Sequence, residues 1–333
     1  MTVVIPTYNR APWLRGAIES VLSQSYREFT LIVSDNASTD ETAAVVESFD
    51  DPRLSYRRLT ENVDLNEHFN RCIELAPAGY LFLLPDDDRM LPDLLMTTVS
   101  VLDADPKVGL VHGAVRVVDE DGRIIAESHD MTGLSRSQTE RGESFIRSCI
   151  RDSYRVHAST ALIRREALDG LRLESQDYPA TDFGLWLRLA LSWDIAFVDR
   201  TLAVYRIHSH TYTSGGASVT GGGYVQDAAM ITKLREIKLR LLASESDHFP
   251  DARRLRRESR RATRRELVNL AGHKTIPQRR FGATLRTLAG CARLSPGIAF
   301  DVGAWRLLVG SIVGPRVVEW VKRRQITQTA VAR

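Results

Sequence analysis

The first ninety residues alternate between short apolar runs typical of β-strands and amphipathic stretches typical of helices. The apolar runs lie at residues 3–5, 29–33, 54–59 and 80–84, and the stretches between them repeat their apolar residues at helical spacing. Pro6 predicts the end of the first strand. This alternation is typical of a mostly parallel sheet covered by helices on both faces. The sequence therefore predicts an α/β fold.

The pattern changes after residue 100. An Asp121-Gly122 pair between two apolar runs predicts a β-hairpin, and a helix is predicted over residues 182–192. Residues 208–223 contain five glycines and many serines and threonines, which is typical of a mobile loop. Only helical patterns follow this loop. We therefore predict an α/β domain of residues 1–223 and a basic, helical C-terminal region of residues 224–333.

Charge is distributed unevenly between these two parts. Residues 226–333 contain 23 Lys and Arg against 9 Asp and Glu, whereas residues 1–225 contain 22 against 33. An acidic body with a basic C-terminal region indicates that the two parts have different roles.

Composition excludes several classes of protein. Of the 333 residues, 43% are hydrophobic and 26% are charged, the proportions of a folded globular chain. Cys72, Cys149 and Cys291 form no cluster, which excludes a disulfide scaffold or a zinc ribbon and is typical of a reducing compartment. No basic n-region or cleavage site accompanies the apolar residues after Met1, so we expect no secretory signal, and no uncharged apolar stretch reaches the length of a membrane span. We expect a cytoplasmic protein, with the inner face of the membrane as a candidate for peripheral contact.

Three consecutive carboxylates follow a buried strand pattern. Pro85 separates the apolar run 80–84 from Asp86, Asp87 and Asp88. Ligands of open α/β sheets bind outside the carboxyl ends of the strands, and adjacent like charges repel each other unless a cation lies among them. Carboxylate oxygens suit Mg²⁺ or Mn²⁺, which also bind substrate phosphates. The cluster predicts a metal–diphosphate site, against the alternative of a solvated turn that caps the next helix.

A second acidic segment follows the predicted strand 29–33. Asp35 and Asp40 lie in this segment, and taken alone they are more typical of turn and cap residues. The residues from Ser38 to Glu41 predict a capping box, followed by a helix through Phe49. Two acidic strand ends in one parallel sheet nevertheless indicate one shared crevice.

Several segments together resemble the large family 2 of GT-A glycosyltransferases. Within the first ninety residues these are VVIPTYNR at 3–10, SDNASTD at 34–40 and DDD at 86–88, with Pro92 four residues further on. Later segments are NVDLNEHFNR at 62–71, with Asp64 in place of the usual Gly, TDFGLWLR at 181–188 and YRIH at 205–208. The resemblance covers about residues 1–215 and leaves the C-terminal region outside it.

The resemblance implies a GT-A-like nucleotide-binding fold and a nucleoside-diphosphate-sugar donor. The donor nucleotide would be bound by Thr7, Tyr8, Arg10, Asp35 and Asp86. A divalent cation on the diphosphate, Mn²⁺ or Mg²⁺, would stabilise the charge that develops as the glycosyl–phosphate bond breaks.

The same resemblance implies the residues around that cation. Asp87 and Asp88 would bind it, and His208 would be a third ligand or a contact to the diphosphate, against the alternative of a structural histidine. Arg206 would pair with phosphate or brace the adjacent loop. The loop 208–223 would order over donor and metal as a lid.

Asp182 matches the family position of the catalytic base. An acceptor hydroxyl has a pKa far above 7 and needs a base on the face of the sugar opposite the diphosphate. One displacement with one base inverts the anomeric centre, so an α-linked donor would give a β product. Without the resemblance, Asp182 after Thr181 is more typical of a helix cap or first turn.

The predicted function is therefore that of an inverting, metal-dependent hexosyl- or deoxyhexosyl-transferase of polysaccharide or glycoconjugate biosynthesis. The acceptor would be a glycan, a lipid-linked sugar or a small molecule. One alternative is a catalytically silent nucleotide-sugar-binding or scaffold protein of the same fold. A sugar-nucleotide pyrophosphorylase is less favoured, because the chain has no Gly-rich phosphate loop with a basic residue near its start.

The C-terminal region contains eight arginines in the thirteen positions from Arg253 to Arg265. This run is typical of a solvated helix face, and almost equally of a surface that attracts anionic lipid. The apolar stretch 298–321, flanked by basic residues, could lie in the plane of a membrane surface, or form a buried or dimer-forming helix. Nucleic-acid binding is not expected, because no known reading module is present.

Overall fold

The computed structural model contains two compact units, Met1–Ser214 and Gly215–Arg333. It describes residues 1–130, 132–134, 136–152, 154–208, 218–220, 223–225, 228–275, 285, 288–289, 291–292, 297–298, 304–305 and 308. Among these residues, no helix has the length and apolar character needed to cross a membrane. The domain division after residue 223 stays a prediction.

The first unit consists of strands and helices that alternate in its N-terminal half. The strands are β1 (Thr2–Thr7), β2 (Thr30–Asp35), β3 (Leu54–Arg58), β4 (Tyr80–Leu83), β5 (Arg89–Met90), β6 (Val108–Val118), β7 (Ile124–His129), β8 (Gln138–Glu140), β9 (Leu162–Arg164) and β10 (Asp194–Arg206). The helices are α1 (Ala11–Leu22), α2 (Thr42–Glu47), α3 (Leu65–Glu74), α4 (Leu94–Ala104), α5 (Gly142–Asp152) and α6 (Thr181–Leu189).

These strands form one sheet with the order β3-β2-β1-β4-β9-β6-β10-β5, to which β7 adds beside β6 and β8 beside β10. Strands β1 to β4 are parallel where they pair, and β6 and β10 are parallel to each other. Strand β9 is antiparallel to both of its neighbours, β4 and β6. The predicted α/β fold with a mostly parallel sheet is confirmed.

The register of the sheet brings the carboxyl ends of its first strands together. Thr7 at the end of β1 lies opposite Asp35 at the end of β2, and Asp35 lies opposite Arg58 at the end of β3. Strand β4 ends at Leu83, so Asp86 follows after only Leu84 and Pro85. The polar residues predicted to bind the donor nucleotide therefore reach one edge of the sheet.

The sheet is held in place by apolar side chains of the helices that cover it. Val3 and Ile5 of β1 are fully buried, and they belong to the same cluster as Leu14, Ile18 and Val21 of α1. Full burial of one such side chain contributes about 1.5–3 kcal/mol. The helical spacing of these α1 residues thus has its physical basis in contact with the sheet.

Strand β1 continues through Pro6, where the sequence predicts its end. The carbonyl of Val4 accepts a hydrogen bond from Leu84, so Val4 and Pro6 direct their backbone polar groups toward β4. The ladder between β1 and β4 ends at Val4, opposite Leu83. Pro6 therefore has no ladder hydrogen bond to lose on that side.

Helix α2 begins at Thr42, later than the capping box predicted at Ser38. The Ser38 hydroxyl donates to Asp35 and so is not a helix cap. The Asp40 carboxylate instead accepts a hydrogen bond of 3.1 Å from the backbone N–H of Thr42.

The predicted hairpin is confirmed, since β6 and β7 are antiparallel and Gly122 takes a left-handed φ of 83° in the turn between them.

The second unit contains the strands β11 (Ser218–Thr220) and β12 (Gly223–Val225) and the helices α7 (Ala228–Ser244) and α8 (Ala252–Thr275). Ile231 of α7 packs in one apolar cluster with Leu267, Val268 and Leu270 of α8. The predicted apolar stretch 298–321 lies outside the described residues except for 298, 304, 305 and 308. The predicted lid also lies outside them, except for 208, 218–220 and 223.

Candidate active site

Thr7 and Asp86 meet just outside the carboxyl ends of β1 and β4, which is the position of the predicted crevice. Strands β2 and β3 lie on one side of β1, whereas β4 lies on its other side. Ligands of open α/β sheets bind at such a reversal of strand order. Thr7 Oγ1 donates a hydrogen bond of 2.7 Å to Asp86 Oδ2, and the backbone N–H of Tyr8 donates to the same carboxylate. Burial and the neighbouring charge of Asp87 raise the pKa of Asp86 to about 7.

Asp35 lies beside this crevice, with both carboxylate oxygens bound by protein donors. Oδ1 accepts from the backbone N–H and the hydroxyl of Ser38, and Oδ2 accepts from the hydroxyl of Tyr56. The Arg58 guanidinium lies 3.5 Å from Oδ2 and also donates to the carbonyl of Ser38. Asp35 is thus held rigidly at the end of β2.

Asn9 joins the loop after β1 to the loop after β2. Its φ is 53°, a left-handed conformation that asparagine tolerates better than most residues. Its side-chain oxygen accepts a hydrogen bond of 2.8 Å from the backbone N–H of Thr39, and its own N–H donates to the Ser38 hydroxyl. This connection fixes the backbone immediately before Arg10.

Arg10, Asp87 and His208 form a compact cluster of charged and polar groups. His208 Nε2 lies 2.9 Å from Asp87 Oδ2 and 3.0 Å from Arg10 Nη1, and Arg10 Nη1 lies 3.6 Å from Asp87 Oδ2. The His208 ring stacks on Trp13, with ring centroids 4.4 Å apart and planes 17° apart. The structure therefore brings together three predicted site residues that are distant in sequence.

The donor set of Asp87 and His208 fits a divalent cation. Two ligands that each lie about 2.1 Å from Mg²⁺ at a right angle are about 3 Å from each other, close to the spacing of Asp87 Oδ2 and His208 Nε2. Within the described part of the chain, no cluster of three or more His, Cys, Asp or Glu side chains surrounds one point. A cation bound by these two groups would need oxygens of water or diphosphate to complete its coordination.

Asp88 is turned away from this cluster into the protein. Its carboxylate accepts hydrogen bonds from the Ser159 hydroxyl and from the backbone N–H of Arg206, the latter at 2.8 Å. These contacts hold the segment after β4 against the end of β10. The geometry favours Asp87 over Asp88 as a metal ligand, and the predicted role of Asp88 stays untested.

The Arg206 guanidinium braces the loops around the cluster. Nη1 donates to the carbonyls of Asp119 and Glu120 at 3.2 and 3.0 Å, and Nε lies 3.4 Å from the carbonyl of Asp87. The sequence predicts that Arg206 either pairs with phosphate or braces the adjacent loop, and these contacts are those of a residue that braces loops. Contact with phosphate stays a prediction.

Asp182 lies in the first turn of α6 and accepts hydrogen bonds from groups other than those that contact Asp87. Its Oδ1 accepts a hydrogen bond of 2.9 Å from the backbone N–H of Phe183, and its carboxylate also accepts from Tyr154. The Tyr154 ring stacks on Phe183, with centroids 5.4 Å apart. Burial raises the pKa of Asp182, while the hydrogen bonds from Tyr154 and Phe183 act to lower it. A carboxylate with a raised pKa and local donors is suited to accept a proton.

A buried ion pair holds α6 in position. Arg188 Nη1 lies 2.9 Å from Oδ2 of Asp177, whose side chain is fully buried. Gly184 leaves room for this carboxylate, since a Cβ at that position would lie 2.0 Å from the same oxygen. The helix that carries Asp182 is thus fixed to the segment before it.

Segment 62–71, which resembles a family motif, contacts residues that lie next to the site. Asp64, which stands where the family usually has Gly, caps α3 by accepting a hydrogen bond of 2.9 Å from Asn66. His68 Nε2 lies 3.0 Å from the Ser34 hydroxyl just before Asp35, and burial lowers the pKa of His68 to about 4. The Asn70 side chain makes two hydrogen bonds to the backbone of Leu173.

Sequence reasoning did not single out Tyr56, Arg58, Trp13 and Tyr154. Tyr56 and Arg58 lie two residues apart on β3, on the same face of the strand next to Asp35, so the strand register was the signal that could have identified them. The contacts of Trp13 and Tyr154 depend on residues far away in sequence or on another element. No local pattern indicates them.

The strand order and the reversal beside β1 define a GT-A-like α/β fold. S. aureus TarS 1-349, solved in complex with UDP-GlcNAc, has a TM-score of 0.55 and 16% identity, covering 93% of this chain and 90% of TarS. The mannosyltransferase PcManGT from Pyrobaculum calidifontis, in complex with GDP-Man and Mn²⁺, has a TM-score of 0.54 and 19% identity, covering 94% of this chain and 85% of PcManGT. At such identities, these likenesses show the fold alone.

The family model described as glycosyl transferase family 2 matches residues 2–172, and the chain belongs to this family. The uncharacterized protein MT1568 of Mycobacterium tuberculosis is 28% identical over 64% of this chain and 69% of its own length. The GalNAc(5)-diNAcBac-PP-undecaprenol beta-1,3-glucosyltransferase of Campylobacter jejuni is 24% identical over 72% of this chain and 75% of its own length. The resemblance inferred from the motifs is confirmed.

Proposed function

We propose that this glycosyltransferase is an inverting, metal-dependent enzyme that moves a hexosyl or deoxyhexosyl group from a nucleoside-diphosphate donor to an acceptor hydroxyl. The observation that carries the proposal is the spacing of 2.9 Å between Asp87 and His208, beside the crevice that holds Thr7 and Asp86. Mn²⁺ or Mg²⁺ would be held by Asp87 and His208, and would supply charge stabilisation to the departing diphosphate.

The residues around the crevice bind different parts of the donor. Thr7, Tyr8 and Asp35 bind the base and ribose, and Asp86 binds the ribose. Arg10 contacts the diphosphate through a guanidinium that already lies against Asp87. Electrostatic groups that are fixed before the reaction lower the barrier more than groups that must first rearrange.

Asp182 acts as the general base of the transfer. Its carboxylate takes the proton of the acceptor hydroxyl while the oxygen attacks the anomeric carbon from the face opposite the diphosphate. The raised pKa of Asp182 makes it a better proton acceptor than an exposed aspartate. The configuration at the anomeric carbon is inverted in this single displacement.

The acceptor we propose is a lipid-linked glycan at the cytoplasmic face of a membrane. The Campylobacter jejuni relative is named for an undecaprenol-diphosphate-linked acceptor. A basic C-terminal region would support peripheral contact with the membrane that contains such an acceptor.

Calorimetric titration with UDP, GDP and dTDP, each with and without Mn²⁺, tests the donor site. We expect one of the three to bind at least tenfold more tightly than the others, and only with Mn²⁺. A nucleotide affinity that is the same with and without Mn²⁺ would contradict the metal-dependent mechanism. Failure of all three to bind would favour a silent protein of the same fold.

The hydrogen bond from Tyr154 gives the base a testable pH dependence. Because this hydrogen bond lowers the pKa of Asp182, its loss in Tyr154→Phe raises that pKa. The base must be deprotonated to act, so the acid limb of the pH profile of kcat/KM is expected to move to higher pH. Tyr178→Phe, at an exposed tyrosine shortly before α6, is the control. Superimposable acid limbs for Tyr154→Phe and the wild type would exclude this role of Tyr154.

A further inference from the structure

Helix α8 has one face that packs in the second unit and another that is exposed. Leu255, Ser259, Ala262 and Leu267 are buried. Leu267 belongs to the apolar cluster that also contains Ile231 of α7. The buried residues recur at helical spacing, so the arginines between them are divided between the boundary of this face and the solvent.

Arg254, Arg256 and Arg264 of α8 have contacts within the second unit. Arg254 pairs with Asp251 and with Glu258, the only acidic residue of the sequence between positions 253 and 265. Arg256 donates a hydrogen bond of 3.1 Å to the carbonyl of Leu242. The half-buried Arg264 lies against Gly297, where a Cβ would approach its guanidinium to 2.4 Å.

Arg253, Arg257, Arg260 and Arg261 are exposed and form a row along one face of α8. Their positions recur at intervals of three and four residues and extend over about 12 Å of helix. None of the four has an ion pair with an acidic residue in the described part of the chain. Arginines four residues apart on a helix repel each other, and bound anions would relieve this repulsion.

An apolar feature of the same unit distinguishes between possible anionic partners. Trp305 is 60% exposed, and it follows Ala304, which packs in the apolar cluster that contains Leu267 of α8. Exposed tryptophan is typical of segments at a membrane–water interface. An anionic lipid bilayer has a layer of charged headgroups above an apolar layer. The row of arginines matches the headgroups, and the exposed tryptophan matches the apolar layer beneath them.

We propose that Arg253, Arg257, Arg260 and Arg261 bind the phosphate groups of an anionic lipid bilayer and hold the chain at the membrane surface. Each arginine near an anionic leaflet strengthens binding, and four together give roughly 10³-fold in partitioning. This docking does not depend on the proposed transfer reaction. It would raise the local concentration of any acceptor that is embedded in the same membrane.

Flotation of the full chain with vesicles tests the docking. We expect the chain to float with vesicles of phosphatidylcholine and phosphatidylglycerol, to stay unbound with phosphatidylcholine alone, and to be released by high salt. The variant with Arg253→Gln, Arg257→Gln, Arg260→Gln and Arg261→Gln should partition at least 100-fold more weakly. A variant with four exposed arginines of the first unit changed to Gln, at positions 27, 123, 136 and 141, has the same net charge and should float like the wild type.

Several results would overturn the proposal. These are no flotation of the wild type with anionic vesicles, equal losses in the two variants, flotation that is insensitive to salt, and tighter binding to duplex DNA than to the vesicles. Thermal unfolding of both variants shows whether they are folded. If the α8 variant is unfolded, the wild type alone still tests the proposal. Release from anionic vesicles by high salt and no binding to phosphatidylcholine vesicles would support it, and the opposite results would contradict it.

Discussion

Asp182→Asn is expected to lower the transfer rate by about 10³-fold, within the range that a general base contributes. The amide keeps the size of the carboxylate and can still accept the hydrogen bond from the backbone of Phe183. It cannot take a proton from the acceptor hydroxyl. Initial rates with an undecaprenyl-diphosphate-linked oligosaccharide as acceptor, together with calorimetric binding of the donor nucleotide, measure the two consequences separately.

Donor binding by Asp182→Asn should stay within twofold of the wild type. The described contacts of Asp182 are with Tyr154 and Phe183, whereas Thr7, Asp35 and Asp86 have separate hydrogen-bond networks. Asp169→Asn removes an exposed carboxylate that pairs with Arg165 four residues earlier and should retain full activity. Transfer by Asp182→Asn within tenfold of the wild type would show that another group is the base, and loss of donor binding would place Asp182 in the donor pocket.

The sequence predicted which carboxylates share one edge of the sheet, because strand ends are a local signal. A parallel sheet gathers the carboxyl ends of its strands at one edge, so Asp35 and Asp86 could be grouped before the structure was known, whereas Thr7 was indicated only by the family resemblance. The same reasoning gave the fold, since buried parallel strands appear as apolar runs. Pro6 was misinterpreted as a strand end because its effect depends on which neighbouring strand its backbone faces.

The arrangement of the three aspartates could not be predicted from the sequence. Asp88 is turned inward by Ser159 and by the backbone of Arg206, and Asp87 lies beside His208; all three partners are distant in the chain. Nothing in the run Asp86-Asp87-Asp88 distinguishes its members. Tertiary contacts with these distant residues decide which way each aspartate points. Ser38 is a different case, because a local hydrogen bond from its hydroxyl to Asp35 competes with the predicted helix cap.

Asp87→Ala is expected to abolish the effect of Mn²⁺ on nucleotide binding, with a loss of roughly 10²-fold in affinity in the presence of the metal. The substitution removes one of the two protein groups that would hold the cation and leaves His208 alone. The transfer rate should fall by about 10³-fold or more, because the diphosphate would leave without its main source of charge stabilisation. Calorimetry with and without Mn²⁺, and the paramagnetic resonance signal of free Mn²⁺, measure the metal directly.

The matched control for this change is Asp93→Ala. Asp93 lies six positions after Asp87, and its exposed carboxylate is 3.7 Å from Arg200. The variant therefore loses the same charge without changing Arg10, Asp87 or His208. It should bind Mn²⁺ and nucleotide like the wild type. If Asp87→Ala kept its Mn²⁺-dependent binding, the cation would lie elsewhere, and Asp87 would serve only as the partner of Arg10 and His208. If both variants lost the effect equally, the dependence on Mn²⁺ would reflect the net charge of the protein and not a defined site.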